Sequence, residues 1–453
     1  MKAWLRRGWP WLVVTFGFAV VAWVAVVDPS AAIENFSPAA PVDLLAFYCS
    51  ARVAASGSDP YLAEPLRSCE HEEFRRSTGH VSRYPLLVIP APLPPYALFL
   101  LKPLAALPFA VARACSIVAV TFSSFALTVL LFLLARTYRV VFIVGVLIGV
   151  LVPALELGQI APLAIAALAA SAWAVRTGRI RFAAVAAAFT LVEPHLGLPA
   201  VAALFLCAPR TRGWLAACGV GLGLASLACG GLDRNLEYLT RVIPAQAVGE
   251  GMSFGGQYSL AALAAEAGAP ARIALLSGSL SYLFMLVVGV LTAQACCKRT
   301  GDASYAVAVA PAFTLLGGTY VHIHQMAAAL PLAAILLGST QRTIVPALAL
   351  LGLLVPWDLI EKSGVLSAWF AAIPPHDAHA ALAAVAGGDR LAEDVWGAWV
   401  RSDPNGNRPA LELLLFKLPT WFSLIALCVL TLRTALSSPR SGTTVGYALT
   451  KPT

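Results

Sequence analysis

Apolar runs recur along this chain at 9–27, 109–135, 140–155, 160–174, 182–192, 196–207, 213–230, 272–295, 304–318, 326–338, 343–357 and 411–432. About 20 apolar residues cross a bilayer at a rise of 1.5 Å each, so these runs predict roughly twelve membrane segments, several short or broken. The whole chain is 59% hydrophobic and only 12% charged, with a mean hydropathy of +0.79. Soluble domains carry about 25% charged residues. Too few charges remain to cover the surfaces of the two or three soluble domains that this length would otherwise allow. The expected fold is an all-α polytopic membrane protein with helical extracytoplasmic loops. It forms a single domain over 1–433, with a first extracytoplasmic loop at 28–84, a late one at 358–410 and a flexible cytoplasmic tail at 434–453.

The first run follows a basic start, Met1-Lys2-Ala3-Trp4-Leu5-Arg6-Arg7, and has no small-x-small cleavage site. It reads as an uncleaved helix with its basic end inside. The stretch 89–108 holds too many prolines for a regular span and reads as a short interfacial or re-entrant helix. Alternating the spans from a cytoplasmic N-terminus puts 16 of the 31 basic residues inside, among them Arg136, Arg176, Arg181, Arg212 and Lys298, with Asp302 as the one acidic residue there. The formal charge of +8 therefore follows the positive-inside rule and is not a nucleic-acid signal. The outer face collects most of the polar chemistry. It has loop 28–84, the turn at 156–159, the tip Glu193-Pro194-His195, the loop 231–271, the turn Tyr320-Val321-His322-Ile323-His324 and loop 358–410. One polar face on an apolar bundle points to a site at the membrane–water boundary.

Within that face, 41–61 is the central stretch. Asp43 opens a helix expected over 44–55 that ends near Gly57. Two roles fit it: a helix cap accepting backbone N–H bonds, or an interfacial general base taking a proton from a hydroxyl. Gly57-Ser58-Asp59-Pro60-Tyr61 reads as a turn, with Asp59 a turn residue. Cys49 and Cys69 are the two cysteines placed outside, and either a disulfide or two thiols fits them. The other seven cysteines have no metal-site spacing.

His322 and His324 stand two residues apart, so on regular helix they point different ways. Each is either a phosphate partner or an interfacial histidine satisfied locally. Glu193 and His195 break an apolar hairpin at its tip, where ionisable residues are either functional or part of a solvated turn. Gln159 and Gln257 are amides suited to sugar hydroxyls. No nucleotide-binding glycine loop, zinc-protease helix or serine-hydrolase elbow is present.

Several of these stretches together resemble the polytopic glycosyltransferases of family 87, in the GT-C superfamily, which includes polyprenol-phosphate-mannose-dependent mannosyltransferases. Asp43 with 57–61 resembles the first extracytoplasmic loop of that family. Pro94-Pro95-Tyr96 through Lys102-Pro103-Leu104 and Leu107-Pro108 resembles its proline-rich segment. Gly158-Gln159-Ile160-Ala161-Pro162-Leu163 resembles its turn between spans, Gly256-Gln257-Tyr258-Ser259-Leu260 a later loop, and 320–324 its aromatic–histidine turn. These matches keep the family's order over 43–330. Two departures stand out. Glu193-Pro194 occupies a place where the family often has Lys-Pro, and the late turn carries two histidines.

The resemblance implies a GT-C-like fold and an inverting, metal-independent transfer with no cofactor. A polyprenyl-phosphate sugar, mannose foremost, would be the donor and a lipid or glycan hydroxyl the acceptor. The site would sit on the extracytoplasmic face of a bacterial inner membrane, among membrane lipids. By position, Asp43 is then the base, and His322 or His324 lies near the donor phosphate. Gln159, Gln257 and Tyr258, with Glu193 and His195, line the sugar or acceptor site. Arg52, Arg83 and Arg241 are further outer-face cations able to meet the phosphate. The alternative is a transporter or flippase of lipid-linked substrates, since broken spans with polar turns also mark transporters.

Overall fold

The computed structural model describes residues 40–79, 88–89, 91–136, 140–249, 257–339, 344–354 and 410–437. The run 9–27, Arg83, most of loop 358–410 and the tail from 438 lie outside these residues. The described chain is helical, with no strand. One isolated antiparallel bridge joins Gln257 to His322.

The helices in order are α1 (Val42–Ala55), α2 (Ala63–Thr78), α3 (Pro95–Ala105), α4 (Phe109–Ala135), α5 (Val140–Val146), α6 (Val152–Leu157), α7 (Ala161–Arg176), α8 (Ile180–Phe189), α9 (Pro194–Cys207), α10 (Arg212–Glu237), α11 (Ile243–Gly249), α12 (Leu260–Glu266), α13 (Ala271–Thr300), α14 (Tyr305–Thr314), α15 (Leu330–Ser339), α16 (Ile344–Leu354) and α17 (Ala410–Leu436). The expected helix after Pro41 is present as α1, and the proline-rich piece 89–108 contributes the short α3. Loop 231–271 carries helix, as the expectation of helical extracytoplasmic loops allows. Much of it is helix, because α10 runs on to Glu237 through a bend at Gly231, and a π turn (Tyr238–Val242) leads into α11.

Among the described residues four helical stretches are long and apolar enough to cross a bilayer: Phe109–Ala135, Pro209–Ala247, Ala271–Thr300 and Lys417–Leu436. The described residues thus hold four of the roughly twelve expected spans at full length. Pieces such as α7, α8, α9 and α14 have 10 to 16 residues, short of the length that crosses hydrocarbon unaided. Their environment explains them. All residues of α14 are buried, and so are Leu330 to Leu337 of α15. A helix that is apolar all round and covered by others is core. The long helices α10 and α13 instead expose Leu224, Leu227, Leu280, Phe284 and Val287. A continuous apolar flank of that kind suits lipid rather than water.

One end of the bundle is basic. Arg176 Nη2 and Nε donate to both carboxylate oxygens of Asp302, at 2.6 and 3.0 Å, and Nη1 donates to the Leu134 carbonyl at 2.7 Å. This ties the ends of α4 and α7 to the turn before α14. Arg181 stacks over Trp214 nearby in sequence to the same turns. Gln159, just before α7, therefore stands about 24 Å from that basic end, at 1.5 Å per helical residue.

Candidate functional site

At the end of α7 away from Arg176, the chain turns sharply through Gly158, whose φ is +77°. A side chain there would overlap Leu44 Cβ and come within 2.9 Å of Leu44 N. The glycine thus lets the 158–160 turn lie against the first turn of α1. That contact brings Gln159 Nε2 to Asp43 Oδ2, to which it donates a hydrogen bond. The N-cap position of α1 is Pro41, and Asp43 sits inside the first turn with its residue on the wall of a cavity.

The cavity has a volume of about 470 Å³, within the usual range of small-molecule sites. Asp43 and Gln159 form one polar group on its wall. Glu193, His195, His324 and Gln325 form a second. Tyr238, Tyr282 and Tyr320 supply aromatic surface, and Gln246 a further amide. Leu198, Ile243 and Leu283 also line it, and each is more than a third exposed. Those three belong to α9, α11 and α13, and α13 is one of the helices that expose apolar side chains.

The second polar group is organised by Gln325. Its Oε1 accepts from the backbone N–H of His322 at 2.8 Å, and its Nε2 donates to Glu193 Oε2 at 3.0 Å. Glu193 is buried although it sits at a helix start, and His195 Nε2 lies 3.8 Å from its Oε2. Burial pushes the His195 pKa down to about 4. His324 is 4% exposed, and neither of its ring nitrogens has a hydrogen-bond partner. Burial, with His322 and His195 close by, holds its pKa well below the ordinary value. A neutral imidazole offers one donor and one acceptor.

The two histidines of the late turn have separate environments. His322 pairs with Gln257 across the bridge. Gln257 Oε1 accepts from Val321 N–H at 2.9 Å, which leaves its Nε2 to meet His322 Nε2 at 3.0 Å. The Tyr258 N–H donates to the Val321 carbonyl at 2.6 Å, and the Tyr258 carbonyl accepts from Trp421 Nε1 at 3.0 Å. Gln257, Tyr258 and His322 thus fasten the late turn to the segment before α12 and to α17. His322 stacks on His324 at 5.1 Å between ring centroids, and His324 is the one of the pair on the cavity wall.

The outer cations stand elsewhere. Arg52 Nη1 donates to Glu73 Oε1 at 2.9 Å and to the Tyr48 hydroxyl at 3.0 Å. Arg241 lies 3.4 Å from Glu237 on an exposed surface. Neither lines the cavity. Asp59 accepts from the Tyr61 N–H at 2.9 Å, as a turn residue does, and Arg234 of α10 donates to the carbonyls of Gly57 and Ser58. Cys49 and Cys69 form a disulfide that joins α1 to α2. Among the described residues no group of three His, Cys, Asp or Glu side chains is placed to hold a metal ion.

Sequence reasoning missed Gln325, Gln246, Tyr238 and Tyr282. Gln325 carried a signal, being a polar residue directly after His324 at the head of an apolar run. Gln246 and Tyr238 fell in a segment read as loop. No protein-family model and no curated protein matches the chain.

Proposed function

We propose that this protein is a membrane glycosyltransferase that moves a sugar from a polyprenyl-phosphate donor to a hydroxyl of a lipid or glycan acceptor. The observation that carries the reading is the cavity itself. A carboxylate held by an amide, Asp43 with Gln159, faces a polar wall, while the partly exposed Leu198, Ile243 and Leu283 add apolar lining. A polar head joined to a hydrocarbon tail fits that combination.

In this reading Asp43 takes the proton of the acceptor hydroxyl as its oxygen attacks the anomeric carbon. The bond from that carbon to the phosphate oxygen breaks, and the polyprenyl phosphate leaves with the electron pair. One displacement inverts the anomeric configuration. The base needs to be within hydrogen-bond reach of the hydroxyl and oriented by a neighbour, which is the place Gln159 takes. The resemblance to family 87 supports mannose as the sugar and a GT-C-like arrangement of the whole chain. The cavity lies at the end of α7 remote from the basic cluster. The positive-inside pattern assigns that end to the extracytoplasmic side of the bacterial plasma membrane.

The test is transfer by purified protein from radiolabelled polyprenyl-phosphate-mannose into a total lipid and glycan extract, with Asp43→Asn and an EDTA-treated sample alongside. Transfer by wild type that Asp43→Asn loses by a factor of about 10² to 10⁴ supports the reading. Full activity in Asp43→Asn removes the base from the mechanism. Absence of transfer together with lipid translocation in liposomes favours the transporter instead.

A further inference from the structure

Buried polar atoms in folded proteins are nearly always hydrogen-bonded, so each exception asks for an explanation. Here three exceptions converge on one wall. Both ring nitrogens of His324 and Nε2 of His195 are buried without a partner, and both residues line the cavity. Glu193 lines the same wall, its carboxylate steadied by Gln325 at 3.0 Å. Gln325 is itself held by the His322 N–H at 2.8 Å, so the wall is pre-set before any ligand arrives.

We propose that His324, His195 and Glu193 form a subsite that reads the hydroxyls of the sugar, and that His324 does not bind the donor phosphate. This rests on the glycosyltransferase reading for the identity of the ligand. The geometric argument is one of matching groups. A sugar hydroxyl both donates and accepts, and so does a neutral imidazole, while a carboxylate accepts from a second hydroxyl. The donor phosphate, a phosphodiester monoanion, has only acceptor oxygens and would stand beside the Glu193 carboxylate, a like-charge contact on a wall with low exposure to water. Burial of His324 is consistent with this, because the cost of charging it would have to be met by the ligand.

The experiment is direct binding by full-length protein in nanodiscs, followed by intrinsic tryptophan fluorescence. The probes are polyprenyl-phosphate-mannose and polyprenyl phosphate without the sugar. His324→Phe keeps ring size and removes both polar positions. His324→Asn and Glu193→Gln serve as second variants, and the melting temperature of each checks folding. We expect His324→Phe to weaken binding of the mannosylated lipid about tenfold or more, since the lost hydrogen bond leaves a buried sugar hydroxyl unmet. Binding of the bare polyprenyl phosphate should change less than about twofold, and His324→Asn should recover part of the loss. An equal loss for both lipids, or a larger one for the bare phosphate, overturns the proposal and makes His324 a phosphate contact. Wild type that binds neither lipid overturns it as well. Sugar-dependent binding that needs His324, in a protein that transfers nothing, keeps the subsite and removes the enzyme.

Discussion

Gln159 donates a hydrogen bond to Asp43 across 116 residues of sequence, joining the turn before α7 to the first turn of α1. In the proposed reaction Gln159 positions the base and does not touch the reacting bonds. Gln159→Leu should therefore lower kcat about tenfold, which is about 1.4 kcal/mol of barrier, with KM for the donor within about twofold. Steady-state kinetics separate the two constants. A rise in KM at unchanged kcat would place Gln159 in ground-state binding.

Gly158 is what lets that contact form. Gly158→Ala asks for a positive φ from an alanine and drives its Cβ into Leu44. Strain of this kind costs about 1–3 kcal/mol, or is relieved by moving the turn away from α1. Either way activity should fall at least as far as in Gln159→Leu, and the melting temperature should drop. An alanine variant with wild-type activity and stability would falsify the close approach.

The Cys49–Cys69 disulfide closes a sequence separation of 20 residues between α1 and α2. Chain-entropy arguments give about 3 kcal/mol for a loop of this size. The double variant Cys49→Ser, Cys69→Ser should melt several degrees lower than wild type, and wild type treated with reductant should match it. Alkylation followed by mass spectrometry counts the thiols directly. Two labelled cysteines at these positions in non-reduced, unfolded protein would show that the bond is not formed.

Glu70 gives stability a dependence on pH. It lies on α2, outside the long apolar helices, with Oε2 accepting from the Ile89 N–H at 2.9 Å and Oε1 buried without a partner. Burial raises its pKa well above the ordinary value, against the Ile89 N–H and Arg67, which lower it. The folded state therefore holds this proton more tightly than the unfolded state does. Its contribution is fully present below the unfolded value of about 4.3 and is lost as pH rises through the raised folded value. Melting curves from pH 5 to pH 8 should show wild type losing stability relative to Glu70→Gln as pH rises. Parallel profiles would mean that Glu70 does not titrate in this way.

Local signals made much of the fold legible. The run 109–135 is the helix α4, the helix expected after Pro41 is α1, and the break at Glu193-Pro194 separates α8 from α9. Each of these depends on composition and on proline within a few residues. Hydropathy alone left the surroundings of α14 and α15 open. An apolar run reads the same whether lipid or other helices cover it, and only packing distinguishes the two. The helices within 231–271 were hidden for a related reason. Their polar residues Asn235 and Arg234 look like loop chemistry. Yet Asn235 bonds back to Ser226 and Gly231 across the bend, and Arg234 reaches the carbonyls of Gly57 and Ser58.

By itself, then, the sequence determined an α-helical membrane protein with Asp43 at a helix start and a cysteine pair able to close, because hydropathy and helix signals act over neighbouring residues. Tertiary structure decided which polar groups share a site. His322 and His324 are equivalent in sequence. What separates them is Gln257, 65 residues away, which meets His322 at the bridge while His324 takes its place on the cavity wall. Arg52, an outer-face cation by sequence, bonds to Glu73 instead of the cavity, and Gln325 holds Glu193 on its wall. Hydrogen bonds of this range depend on the path of the whole chain, and no local pattern encodes them.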